Sequence, residues 1–190
     1  MKKLILSAVL GAGVLASAVS SYAQGTVNFN NTGFNITTNN LAGTSGVMSG
    51  SKAYTFGLYL AADAGSLSAV TTPVMLFSNA PIAGVISLST VTLPSGFAAG
   101  STYAFEVKGW SSTGGYGSYD AAFNGNPNGY FGISSIGTVT LGGGATPAGV
   151  IWGNNAGQVQ GFTLTPVPEP STIALAGLGA ASLLLFRRRK

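Results

Sequence analysis

STYAFEVKGW, residues 101–110, decides the fold class of this chain. Tyr103, Phe105 and Val107 fall on one side of an extended backbone and Ala104, Glu106 and Lys108 on the other, the period of two that a strand with one buried face requires. On this reading Glu106 and Lys108 share the solvent face. AYTFGLYL (53–60) repeats the pattern, with Tyr54, Phe56, Leu58 and Leu60 aligned. Shorter runs in GTVNFN (25–30), PVMLF (73–77), AGVISLSTVTL (83–93), IGTVTL (136–141), GVIW (149–152) and QVQGFTLT (158–165) bring the expectation to about eight strands. No stretch between them carries a helical period. The chain has 29 glycines, all but Gly11, Gly13, Gly177 and Gly179 lying between these runs or within them, and they cluster with Asn and Ser as turn formers do. Short strands joined by such turns predict an all-β domain, a single Gly-rich sandwich or jelly roll over residues 24–166, with a barrel as the alternative.

The formal charge of +4 misleads about that domain. Lys2, Lys3, Arg187, Arg188, Arg189 and Lys190 lie at the two ends, leaving Lys52 and Lys108 against Asp63, Glu106 and Asp120 in the body. Two isolated lysines cannot neutralise a run of phosphates, so nucleic acid is not an expected partner. Without cysteine or histidine, the usual zinc and transition-metal ligands are missing, as is the common base of Ser and Cys nucleophiles. No metal and no other cofactor is expected. Aromatic and β-branched residues are plentiful and charges few, the opposite of a disordered chain.

Both ends read as addresses. Lys2 and Lys3, the apolar run Leu4 to Val19 and the small-residue site Ser21-Tyr22-Ala23 form a secretory signal peptide, residues 1–23, to be cut by signal peptidase between Ala23 and Gln24. At the other end, Pro168-Glu169-Pro170 is too rich in proline for helix. An apolar stretch from Ser171 to Phe186 follows, which as a helix would reach about 24 Å, slightly short of the roughly 30 Å hydrocarbon core of the inner membrane, a difference that snorkelling arginines make up. Arg187, Arg188, Arg189 and Lys190 then act as stop-transfer and orientation residues, because cations stay on the cytoplasmic side. The expected organisation is thus a signal peptide (1–23), an ectodomain (24–166) and an anchor segment (167–190) with its transmembrane helix at about 171–186 and its basic tail at 187–190.

In Val167-Pro168-Glu169-Pro170, the short apolar helix and the terminal basic cluster, the chain resembles the PEP-CTERM proteins of Gram-negative bacteria. The resemblance spans the last 24 residues. It implies sorting by an exosortase, a membrane-embedded processing enzyme that recognises Pro168, Glu169 and Pro170, with delivery to the cell surface or to an extracellular matrix of exopolysaccharide and biofilm. The body also looks like the strand-rich ectodomains found ahead of that signal, a likeness that brings no site with it.

Chemistry in the body is sparse. Asp63, Glu106 and Asp120 are the only acids there, and a glycosidase needs two facing carboxyls. Glu106 is better read as a strand partner of Lys108, and Asp63 as a turn former, so no enzyme is expected. GYGSYDAAFNGNPNGYFG (115–132) holds the best binding candidates, Tyr116, Tyr119, Asp120, Asn124 and Tyr130, whose rings and amides suit an extracellular polysaccharide. The competing reading, favoured here, is a long loop pinned by its own aromatics.

Overall fold

The computed structural model describes residues 24–39, 45–49, 53–87, 89–126, 128–167, 177–180 and 182. The stretch 101–110 is the centre of the fold. Strands β1 (Thr26–Asn28), β2 (Thr37–Asn39), β3 (Ser45–Val47) and β4 (Tyr54–Ala61) are followed by a short 3-10 helix, Ala64–Ala69. Then come β5 (Met75–Ser78), β6 (Thr90–Thr92), β7 (Thr102–Ser111), helix α1 (Tyr119–Gly125), β8 (Tyr130–Ile133), β9 (Gly137–Thr140), β10 (Gly149–Val150) and β11 (Thr163–Pro166). All eight expected runs contain a strand. Three further strands, β2, β3 and β8, were not foreseen: β2 and β3 are three residues each of mostly Thr, Asn, Ser and Gly, and β8 falls inside the long candidate loop.

The large sheet runs β3-β2-β11-β8-β7-β4-β5, with β9 alongside the first half of β7 and β8 alongside its second half. β4 and β7 pair antiparallel from Tyr54↔Ser111 to Ala61↔Ala104. A second sheet of three strands runs β10-β1-β6. One apolar core lies between them: Val27, Phe29 and Ile151 pack with Phe56, Leu58, Phe105, Val107 and Leu164. Phe29 stacks on Phe77 at 4.0 Å and meets Trp152 edge-on at 5.9 Å, tying the first strand's end to β5. The fold is all-β.

Buried Asn31 closes the loops at one end. Its amide Nδ2 donates to the carbonyls of Phe34 and Gly84 at 3.2 and 2.9 Å, and its Oδ1 accepts from the Ile86 N–H at 2.8 Å. Gly84 sits at φ 75°, where a side chain would also run into Asn35 and Val47. Gly109 has the other tight role. A Cβ there would stand 2.5 Å from Phe56 Cε1, so the large ring crosses β7 only because no side chain is present.

Two expectations need correcting on the outer face of β4 and β7. That face is dry. The 3-10 helix sets buried Leu67 over Tyr59, Ala61 and Ala104, and α1 sets Ala122 over Trp110 and Phe131. Lys108 is only 9% exposed as a result. Its Nζ lies 3.6 Å from Glu106 Oε2 and 4.7 Å from the centre of the Tyr59 ring, so the pair is held under aromatic cover. Alternation within one strand cannot reveal a lid supplied by distant segments.

The second correction is the lid itself, since no helix was expected in the body. α1 is seven residues long, too short to show a period, and its start is set locally: Ser118 Oγ accepts from the Ala121 N–H at 3.3 Å, with Asp120 in the first turn. The 3-10 helix starts the same way on Asp63, whose Oδ1 accepts from the Ser66 N–H at 3.0 Å and whose Oδ2 accepts from the Ser66 hydroxyl. Those two hydrogen bonds hold the Asp63 carboxyl below its ordinary range.

Candidate functional site

The five residues singled out between 115 and 132 do not form one surface. Tyr116 turns back on its own loop: its hydroxyl donates to the Gly125 carbonyl at 2.7 Å, and its own carbonyl accepts from Trp110 Nε1 at 3.3 Å. Tyr119 packs edge-on against Trp110 and Phe131, and its N–H donates to the Tyr59 hydroxyl at 3.0 Å. Burial pushes the Tyr59 and Tyr119 phenols above the ordinary tyrosine value, and the nearby Asp120 carboxylate adds to the shift. These rings anchor the lid. Asp120 and Asn124 are exposed on α1.

Tyr130 lies elsewhere, in an open cleft of about 430 Å³ at the end of the large sheet. Tyr54 comes from the start of β4, Ser111 from the end of β7, Thr113 from the turn beyond it, and Asn126 and Asn128 from the chain between α1 and β8. The Tyr54 and Tyr130 rings meet edge to face, 6.3 Å between centres. Ser111 Oγ accepts from the Tyr130 N–H at 2.8 Å and so fixes that residue to β7. Partial burial raises the Tyr54 phenol above its ordinary value, with Tyr130 contributing, so the hydroxyl stays protonated at neutral pH. Sequence reasoning missed Tyr54, since its place in an alternating strand marks it only as core.

The three acids are spread over separate structural tasks: Asp63 caps the 3-10 helix, Glu106 pairs with Lys108, and Asp120 opens α1. Among the described residues no group of three His, Cys, Asp or Glu side chains stands close enough to hold a metal ion.

The C-terminal address begins where the fold ends. β11 runs parallel to β2 on one side and antiparallel to β8 on the other, with Pro166 opposite Tyr130. The Val167 N–H donates to the Gly129 carbonyl at 3.3 Å, and its side chain packs on the cluster of Trp110, Ala122 and Phe131. Pro168, Glu169, Pro170 and the basic residues Arg187, Arg188, Arg189 and Lys190 lie outside the described residues, as do Ala23 and the rest of the expected signal peptide. Gln24 is described, exposed, and bridged to Ala98. Of the expected transmembrane helix only 177–180 and 182 are described, and they are helical. Among the described residues no helix is long and apolar enough to cross a membrane.

No curated protein and no solved structure matches the chain. A family model does match its end: the model described as the PEP-CTERM protein-sorting motif covers residues 166–190, starting on the last residue of β11. That motif implies export, a membrane-anchored precursor and handling by an exosortase-type enzyme. The chain is thus a protein that carries a PEP-CTERM sorting signal.

Proposed function

We propose that this is a non-enzymatic structural protein of the cell surface or of an exopolysaccharide and biofilm matrix. Residues 1–23 act as a signal peptide, the two-sheet body over 24–166 is a sandwich-type ectodomain outside the cytoplasm, and residues about 171–186 hold the precursor in the inner membrane until an exosortase-type enzyme acts near Pro168-Glu169-Pro170. The observation that carries the reading is the sorting motif at 166–190, flush with the last strand of the body. In support, Asp63 caps the 3-10 helix and Glu106 pairs with Lys108, which leaves exposed Asp120, in the first turn of α1, as the one acid of the described body without such a task.

The test is intact mass of the protein recovered from its own host, in envelope and medium fractions separately. A species running from Gln24 to near Pro168 is the expected result. A species still ending at Lys190 in every fraction would make the tail a permanent anchor and overturn the processed reading.

A further inference from the structure

The Tyr54–Tyr130 cleft gathers two aromatic rings and several polar side chains in one concavity. Several buried polar side chains of the body are paired: Asn31 makes three hydrogen bonds, Ser134 Oγ accepts from the Val107 N–H and donates to the Ser135 carbonyl, and the Tyr59 and Tyr116 hydroxyls each have a partner, while Asn39 Oδ1 and Trp152 Nε1 are buried without one among the described residues. In the cleft, the phenols of Tyr54 and Tyr130, the Thr113 hydroxyl and the amides of Asn126 and Asn128 have no hydrogen-bond partner among the described residues. They are held in place by their backbones: the Tyr54 N–H on Asn79 Oδ1 at 2.9 Å, the Tyr130 N–H on Ser111 Oγ, the Gly129 N–H on the Asn126 carbonyl at 3.0 Å. The result is a concavity with two aromatic rings and five polar groups that have no partner among the described residues.

Its described lining residues include no Lys, Arg, Asp or Glu. A phosphate, a carboxylate or an ammonium ligand would find no counter-charge among those described residues. What fits is a neutral molecule with apolar C–H faces to lie against the rings and several hydroxyls to pair with the amides and phenols. We infer that the cleft formed by Tyr54, Thr113, Asn126, Asn128 and Tyr130 is a binding site for a neutral saccharide. The inference stands apart from the route by which the protein reaches its destination, because it concerns only the folded body.

Affinity electrophoresis of the full chain in native gels tests it, with the protein in an amine-oxide detergent so that no sugar headgroup competes. The gels contain dextran, a soluble β-glucan or a galactomannan, each neutral, or alginate as an acidic comparison. Retardation by at least one neutral polymer is expected, with the apparent dissociation constant raised about tenfold in Thr113→Ala/Asn128→Ala, the loss of roughly one to two hydrogen bonds. Both residues are exposed, so that variant folds, and melting of each variant is recorded alongside. Tyr54→Phe/Tyr130→Phe keeps the rings and is expected to weaken retardation less than Asn128→Ala combined with Tyr130→Ala does. No retardation by any of the three neutral polymers, retardation by alginate alone, or retardation unchanged in Thr113→Ala/Asn128→Ala each overturns the assignment.

Discussion

Removing one member of the Glu106–Lys108 pair destabilises the protein far more than a surface ion pair would. The two groups are 3.6 Å apart, with side chains 11% and 16% exposed, beneath Tyr59 and Tyr119. At an effective dielectric of about 20, that separation corresponds to an attraction of about 4–5 kcal/mol before desolvation is subtracted. Glu106→Gln leaves an ammonium under aromatic cover with no counter-charge, and Lys108→Met leaves a carboxylate in the same position. Each is expected to cost about 3 kcal/mol, whereas Glu106→Gln/Lys108→Met, which removes both charges, costs about 1–2 kcal/mol, since a buried pair is often replaceable by apolar groups. The interaction recovered from the cycle is about 4 kcal/mol, against at most about 1 kcal/mol for an exposed pair. Urea titration of the full chain, followed by the fluorescence of buried Trp110 and Trp152, measures all four corners; each single substitution also lowers Tm by roughly 6–12 °C. An interaction below about 0.5 kcal/mol, or one abolished by 0.5 M salt, would mean that water reaches the pair and that the lid does not close over β7.

Asn31→Ala removes three hydrogen bonds, two of them buried, and is expected to cost about 3 kcal/mol by the same titration. Gly109→Ala sets a methyl against the Phe56 ring and Leu164 and should cost about 1–3 kcal/mol, which Phe56→Leu in the same chain should partly relieve. On the alkaline side, the Tyr59 and Tyr119 phenols have folded values raised by burial, so their contribution is complete below the ordinary tyrosine value and is lost as pH climbs through the folded ones; Tm should hold to about pH 10 and fall beyond it, less steeply in Tyr59→Phe. On the acid side, Asp63 is lowered by its bonds to Ser66, so its contribution is present above its unfolded value and fades as pH drops through the folded one; Asp63→Asn should flatten that part of the acid limb. Any mature form that keeps the fold retains Val167, whose N–H and side chain are both part of the body, so C-terminal sequencing should find no cut before it.

What the sequence reveals and conceals follows from the range of each signal. β4 and β7 are legible because alternation is local: Tyr54, Phe56, Leu58 and Leu60, and across from them Tyr103, Phe105 and Val107, face one core. The opposite face of β7 was misjudged because its cover is non-local, brought by Leu67 and Ala122 from segments whose helices are fixed by single capping residues, Asp63 and Ser118. β2 and β3 were missed since Thr37–Asn39 and Ser45–Val47 carry no apolar period and owe their strand character to their partners. The cleft was half legible. Tyr130, Asn126 and Asn128 lie in the Gly- and Asn-rich stretch that drew attention, but Tyr54 and Thr113 reach the same place through the pairing of β4 with β7.

That non-local character bears on how the sorting signal and the body are joined. β11 lies between β2 and β8, so the β3-β2 half of the large sheet meets the β8-β7-β4-β5 half only through residues 163–166. A chain delivered from its N-terminus cannot complete that sheet until the last strand arrives, and the residues that follow it at once are those of the sorting motif. The open edges of β2 and β8 are unpaired until then, a state prone to wrong pairing.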